Sequence, residues 1–570
     1  MEKQTLTTIA RRPDPTPPWW SERTCVVDLA ILFLASLAGL VWLVGWLDNP
    51  QALTSNGVFK AMTVRDWLND YVKTPLDPSN FHYYPFIAIF CHLLDLMGIQ
   101  TGDPRRQIAL INCLFGAISL CIVYLLVRTV SGRRDVAWAA AAFHLGGAFF
   151  LNLSISNEDI IPSYTFLLGS LALAAVWFVN PTPGRVAIVA VVFALSWLFE
   201  WRLMFPTLPA LLIGVTLAPG TLWKRFLRIV IFLAAMVGTA EIAMQLWGPH
   251  NGNVGTVRDL LWTGKAVESG WAGFAMRKVV FLWVGITEYL LGGANMGDAS
   301  YLSVIRTEVL TATVLIAAIA IAWMVLIWRD AGSLNPRVLA ALFGLNFLAG
   351  EVFNFYSQPQ DPQMQINVMI WLTVAWATIV AAATRRYGPA MPKIALMLAV
   401  ALLSYNVYRM APARGADGLW RNALQRIESQ ADPTRTVFLV HGFEQLVSET
   451  FYEWHGEWNY FGKLGPAPSP KPKIKLLAFV NGPIHQPSAS GEEIAAELSR
   501  QIGHAMDLGY QVVADYVWEL SEASFTSYMA TVADSSKAST IYRTLHAKFT
   551  GTPLFVDPVA GAFFRLQRAN

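Results

Sequence analysis

Ser156-Asn157-Glu158-Asp159-Ile160-Ile161-Pro162 separates two apolar runs, 136–153 and 162–179, and the reading of this turn decides the fold. Polar residues end the first run. Pro162 opens the second, because its fixed φ and missing N–H suit the first turn of a helix. Each run approaches the roughly 20 residues an α-helix needs to cross a bilayer, which places the two carboxylates at a membrane surface. Ionisable groups at or just inside hydrocarbon are costly enough that they usually mark a site. Simple helix capping is the alternative, since Asn and Asp favour helix starts and acids complement the positive dipole end.

Outward from this turn the pattern repeats. The chain has 570 residues, 54% of them hydrophobic and 14% charged, with 22 Trp. Apolar runs at 25–47, 108–128, 136–153, 162–179, 186–200, 204–220, 227–247, 308–328, 337–353, 366–384 and 391–411 predict a polytopic α-helical membrane protein with about eleven transmembrane helices. Basic residues fall in alternate gaps: Arg128, Arg133 and Arg134; Arg185; Lys224, Arg225 and Arg228; Arg329 and Arg337; Arg385 and Arg386. The positive-inside rule then puts the N-terminus in the cytoplasm and the acidic turn outside. A bacterial cytoplasmic (inner) membrane is the expected location. Arg11, Arg12 and Trp19-Trp20 precede the first run with no small-residue cleavage site after it, which reads as an uncleaved anchor. A net charge of +3, scattered between apolar runs, gives no nucleic-acid footprint. Cys25, Cys91, Cys113 and Cys121 show neither a disulfide framework nor zinc spacing.

The outer segments 48–107 and 248–307 are long, and connections of that length are usually functional. Within the first, the apolar stretch from Tyr83 to Met97 is too short to span and reads as a helix lying along the outer interface. Residues 1–413 form the membrane module. Residues 414–570 change to the composition of a soluble α/β domain, expected on the outer face with a largely parallel sheet. Its strand runs are Val437 to Val440, Leu476 to Val480, Gln511 to Ala514 and Pro553 to Val556, and its helices are Glu492 to Met506 and Ser535 to Lys548. His441-Gly442-Phe443 follows a strand, but no GxSxG elbow accompanies it. The chain also lacks a P-loop, a strand-linked GxGxxG and HExxH.

The candidate site residues all fall in outer segments. Glu200-Trp201-Arg202 forms a short hairpin at a depth similar to that of Glu158 and Asp159. A guanidinium there suits a phosphate through bidentate, charge-assisted bonds, and an internal Glu200–Arg202 pair or snorkelling to headgroups is the alternative. The first outer loop holds Asp48, Asn56, Lys60, Arg65, His82 and Tyr83. The second holds His250, and the amide-rich turn at 354–365 offers Tyr356 and Gln358 for sugar hydroxyls.

The stretch from Asn56 through Pro162 resembles the N-terminal half of GT-C glycosyltransferases, in the aminoarabinose transferase and protein O-mannosyltransferase branch. Asn56-Gly57-Val58-Phe59-Lys60-Ala61-Met62-Thr63-Val64-Arg65 is similar to the family's Asp-Glu-x-x-Tyr-Ala-x-x-Ala-Arg. His82-Tyr83-Tyr84-Pro85 is similar to its entry into an interfacial helix, and Asp159-Ile160-Ile161-Pro162 to its second outer carboxylate. Arg202, ahead of Pro206 and Pro209, resembles the family's basic residue for the lipid phosphate. One departure stands out: the position of the family's first catalytic Asp is Asn56. An amide cannot take a proton, so the base falls to Asp159, Asp48 or another acid of the same cleft, unless the register is shifted or the mechanism differs.

The resemblance implies transfer of a sugar from a polyprenyl-phosphate donor to a lipid, glycan or protein acceptor by displacement at the anomeric carbon. Asp159 is then the base or acceptor orienter, with Glu158, Asn56 and Asp48 beside it. Arg202, Lys60 and Arg65 meet the donor phosphate, and His82, Tyr83, Glu200, His250, Tyr356 and Gln358 line the substrate. No cofactor is implied; a divalent metal has no dedicated ligand motif, although His82, His250 and outer acids offer ligands. A lipid-linked sugar flippase also needs charges at membrane depth, but its sites belong near the midplane between repeated halves. A non-catalytic envelope-assembly subunit is the third reading, which Asn56 in place of Asp keeps open.

Overall fold

The described parts of all eleven apolar runs are largely helical in the computed structural model, which describes residues 23–48, 56–69, 83–99, 104–200, 204–247, 276–291, 307–328, 340–356, 365–440, 464–469, 475–478, 489–529 and 535–569. Only seven of the described helices are long and apolar enough to cross a membrane, fewer than the run count suggested. They are α1 (Arg23–Leu47), α4 (Pro104–Ser131), α7 (Ile160–Trp177), α10 (Leu222–Trp247), Thr307–Trp328, Ile366–Tyr387 and the helix that begins at Ala390. Four predicted spans are shorter for local reasons. The run 136–153 breaks into α5 (Arg134–Gly146) and α6 (Ala148–Ile155), the run 337–353 opens with a π-helical turn at Ala340–Gly344, and α8 (Pro183–Phe199) and α9 (Met204–Leu217) are 17 and 14 residues long.

The break in 136–153 shows how the membrane core handles a lost helical bond. Gly147 takes φ −62° and ψ 126°, outside the helical region, and a Cβ there would stand 2.7 Å from Met369 Sδ. Asn406 Nδ2 donates to the Gly146 carbonyl at 2.6 Å and to the Leu290 carbonyl at 3.0 Å. In hydrocarbon an unmet carbonyl costs several kcal/mol, so a neighbouring helix has to supply the missing donor.

The buried spine of the bundle is α4, which packs against α1, α5 and α7. Near its C-terminal end Tyr124 donates to Asp28 at 2.6 Å, and Arg134 reaches the same carboxylate at 2.6 Å, tying α1, α4 and α5 together. In mid-bundle His144 lies 2.8 Å from both Thr373 Oγ1 and the Tyr164 hydroxyl, all three fully or almost fully buried. Asn112 sits about 18 Å along the α4 axis from Tyr124, at the 1.5 Å rise per residue of an α-helix, and faces the acidic turn.

Two helices precede α4 in the chain. α2 (Asn56–Asn69) buries Ala61, Val64 and Trp67, and α3 (Tyr83–Leu96) buries Tyr83, Tyr84, Ile87 and Cys91 while exposing Ile89, Leu93 and Leu96. An apolar helix exposed on one side suits the interfacial placement read from the sequence. The Met276–Leu290 helix, which packs against α6 and the Leu345–Tyr356 helix, lies inside a segment the sequence reading left as an outer loop.

The C-terminal sheet has the order β2-β1-β3-β5-β4, from strands β1 (Thr436–Val440), β2 (Lys475–Ala478), β3 (Gln511–Ala514), β4 (Phe549–Asp557) and β5 (Gly561–Arg568). The largely parallel expectation holds for β2-β1-β3, where β1 is buried throughout as central parallel strands are. It fails at the edge, where the β4–β5 hairpin adds two antiparallel strands. Helix Ala416–Gln430 and strand β5 were not anticipated.

Asp557 closes that hairpin. Its carboxylate accepts from Val559 N at 2.8 Å and Ala560 N at 2.9 Å, and Arg426 donates to it at 2.7 and 3.1 Å. Burial alone raises the Asp557 carboxyl, but Arg426 and these two N–H groups outweigh it and hold the group below the usual carboxylate range. A depressed folded pKa stabilises above the unfolded value of about 3.9 and loses that stabilisation as pH falls through the folded value. Arg426→Ala should therefore lower the unfolding midpoint of the full chain at neutral pH, and the gap from wild type should narrow below about pH 4. Thermal unfolding followed by fluorescence across pH 3 to 8 checks this; a gap independent of pH contradicts the assignment.

Candidate functional site

The acidic turn is buried inside the protein. Ser156, Asn157, Glu158 and Asp159 are 1%, 0%, 1% and 0% exposed, enclosed by α2, α3, α4 and the start of α7. Asn112 on α4 holds the turn in place: its Nδ2 donates to the Ser156 carbonyl at 2.7 Å and to the Glu158 carbonyl at 2.6 Å. The Tyr83 hydroxyl on α3 donates to the Glu158 carbonyl from 3.4 Å. The turn backbone is thus fixed by two neighbouring helices before any substrate arrives.

Asp159 occupies the N-cap position of α7 but makes no side-chain capping bond, so helix capping does not account for its carboxylate. Instead Lys60 Nζ on α2 lies 2.6 Å from Asp159 Oδ2, with the two side chains 14% and 1% exposed. The same ammonium stands 5.7 Å from the centre of the Tyr84 ring. Taking an unpaired carboxylate out of water costs several kcal/mol, and a close cation offsets that cost. The pair keeps a charged oxygen and a cation side by side in a protein interior, which is what a base beside a charge-stabilising group requires.

Other candidates gather at the same end of the bundle. Glu200 follows the last turn of α8 and is 1% exposed. The preceding Phe199 packs on Phe86 of α3 and Phe166 of α7 at 4.9 and 5.4 Å, and Ser163 of α7 donates to Ser196 of α8 at 2.8 Å. Arg65 lies on α2, partly buried. Asp48, by contrast, is at the end of α1 with a 66% exposed side chain paired to Arg106, outside the buried cluster. Asn56 begins α2 and Tyr356 ends the Leu345–Tyr356 helix, with side chains outside the described set. Arg202, His82, His250 and Gln358 lie outside the described residues. Among the described residues no group of three His, Cys, Asp or Glu side chains stands ready to hold a metal ion.

Three residues of this end were missed from the sequence. Asn112 and Asn157 carry no charge, so neither was singled out from the other residues of its helix or turn. Glu351 was visible as an acid within the apolar run 337–353 and passed unremarked. It is 8% exposed, with the Gln365 amide 2.7 Å from its nearer oxygen and 3.1 Å from the Asn354 amide.

The Lys60–Asp159 pair generates a stability prediction. Lys60→Met leaves a buried carboxylate without its cation and should lower the stability of the full chain in detergent by ~3 kcal/mol. Asp159→Asn in the Lys60→Met background should recover part of that loss. Additive effects in this double-mutant cycle would mean the pair is not coupled.

No protein-family model and no curated protein sequence matches this chain. Among solved structures its fold is similar to that of ArnT from Cupriavidus metallidurans bound to undecaprenyl phosphate. That likeness has 12% identity and a TM-score of 0.53, and covers 95% of this chain and 98% of that one. The apo state of the same protein matches at 12% identity and TM-score 0.50, over 95% and 98% of the two chains. The GT-C fold expected from the sequence is therefore the fold observed, along almost the full length of both proteins.

Proposed function

We propose that the protein is an integral-membrane glycosyltransferase of GT-C type. It takes a sugar from a polyprenyl-phosphate donor and transfers it to a lipid, glycan or protein acceptor on the outer face of the bacterial cytoplasmic membrane. The observation that carries this reading is the buried Asp159 carboxylate with Lys60 Nζ at 2.6 Å, set in a fold similar to that of a protein solved with undecaprenyl phosphate bound.

In this mechanism Asp159 accepts the proton of the acceptor hydroxyl while that oxygen attacks the anomeric carbon. The bond from that carbon to the lipid-phosphate oxygen breaks, and the phosphate leaves with the electron pair. Lys60 and Arg202 take up its charge, Lys60 by shifting from the carboxylate as the base becomes protonated. Glu158 and Glu200 add acceptors for sugar hydroxyls at the same end of the bundle, and Tyr83 fixes the turn beneath. Asn56 orients substrate without acting as a base, since an amide cannot take the proton.

Asp159→Asn should reduce transfer from an undecaprenyl-phosphoryl sugar, measured in membranes with radiolabelled donor and normalised to inserted protein, by about 10²- to 10⁴-fold. Arg202→Ala should impair transfer with a raised apparent KM for the donor. Full activity in Asp159→Asn removes that residue from the role of base.

A further inference from the structure

The turn that presents Asp159 carries polar groups the mechanism above does not use. Both side-chain atoms of Asn157 lack a hydrogen-bond partner among the described residues, although the residue is 0% exposed. Ser156 Oγ and Asn112 Oδ1 share that condition, in residues 1% and 0% exposed. A donor or acceptor buried without a partner costs ~1–3 kcal/mol, and native proteins seldom keep several together without a reason.

Their placement is specific. Asn112 binds the Ser156 and Glu158 carbonyls through its nitrogen, which holds Asn157 between them and leaves the Asn112 oxygen unused. The Asn157 amide lies against Gly57, where a Cβ would overlap its oxygen, so the bare glycine allows α2 to close on it. Lys60 lies one turn farther along α2, and Asp159 two residues beyond Asn157. The orphaned amide therefore sits between the elements that supply the base and its cation.

The chemistry of the three groups differs from that of their neighbours. Carboxylates only accept and an ammonium only donates, whereas an amide and a hydroxyl do both. A sugar hydroxyl is also both donor and acceptor, and a vicinal pair matches the two ends of an amide. A phosphate, which only accepts, is better served by the cations.

Resting on the transferase reading, we propose that Asn157, with Ser156 Oγ and Asn112 Oδ1, forms a neutral subsite that binds hydroxyl groups of the glycosyl unit beside Asp159. Asn157 is then a specificity residue, and its unmet hydrogen bonds are completed by substrate.

The test uses the full chain in lipid nanodiscs, with undecaprenyl phosphate alone and with undecaprenyl-phosphoryl hexose and pentose as probes. Wild type should bind at least one sugar-bearing lipid about tenfold more tightly than the bare lipid. Asn157→Leu should bind the bare lipid as wild type does, lose the sugar preference, and melt without lipid at or above the wild-type temperature, since an orphaned amide has been replaced by an apolar group. Ser156→Ala, a smaller change, should reduce the preference partially. A sugar preference retained in both variants overturns the subsite, as does a lower lipid-free midpoint in Asn157→Leu with the preference intact in Ser156→Ala. Wild type that binds the bare lipid with no preference for either sugar also overturns the subsite alone. Wild type that binds none of the three lipids overturns the transferase reading, and the subsite with it.

Discussion

A carboxylate removed from water has to be paired, protonated or put to use, and the end of the bundle that holds Asp159 is organised around that constraint. Asp159 is fully buried at the start of α7, and Lys60 meets it from α2. For the lysine to arrive there, α2 has to lie close against the acidic turn, which it does through Ala61 and Val64 on one side and the bare Gly57 against Asn157. The turn in turn has to be rigid, and Asn112 and Tyr83 hold its carbonyls from α4 and α3. The ion pair, the packing of a short helix and the polar face of α4 form a single arrangement.

The same logic operates deeper in the membrane module with a different outcome. Asp28 meets Tyr124 and Arg134, His144 meets Thr373 and Tyr164, and Asn406 meets the Gly146 carbonyl at the Gly147 break and the Leu290 carbonyl. Each of these polar groups is matched by partners on neighbouring helices, the usual condition for polar side chains that join helices in hydrocarbon. The turn at 156–159 departs from the pattern, because it keeps amide and hydroxyl groups unmatched next to a matched ion pair. Single unmatched groups also occur at the Tyr289 hydroxyl and Trp376 Nε1, and the turn is set apart by holding several together.

The helical architecture was legible because apolar run length is a strong signal, and the described parts of all eleven runs are largely helical, although only seven of the described helices are long and apolar enough to cross a membrane. Their interruptions were not, since Gly147 and the π-helical turn at Ala340–Gly344 interrupt helices without interrupting hydrophobicity. In the sheet, the parallel strands announced themselves as short apolar runs, whereas β5, with its mixture of Phe, Arg and Gln, gave no comparable run. Glu158 and Asp159 stood out because acids beside a membrane span are rare. Lys60 was read as a phosphate ligand, but its pairing with Asp159 was not legible because contact between distant segments is a tertiary fact, and Asn112 and Asn157 were passed over because neutral amides suit ordinary turns equally well.

The central claim is that Asp159 and Lys60 line one cavity in which a polyprenyl phosphate reacts. A cryo-electron microscopy map of the full chain in nanodiscs with undecaprenyl phosphate tests it most directly. The claim predicts phosphate density within hydrogen-bond reach of Lys60, in a cavity continuous with the Asp159 carboxylate. Phosphate density elsewhere, with the Lys60–Asp159 pair sealed inside packed protein, would contradict it.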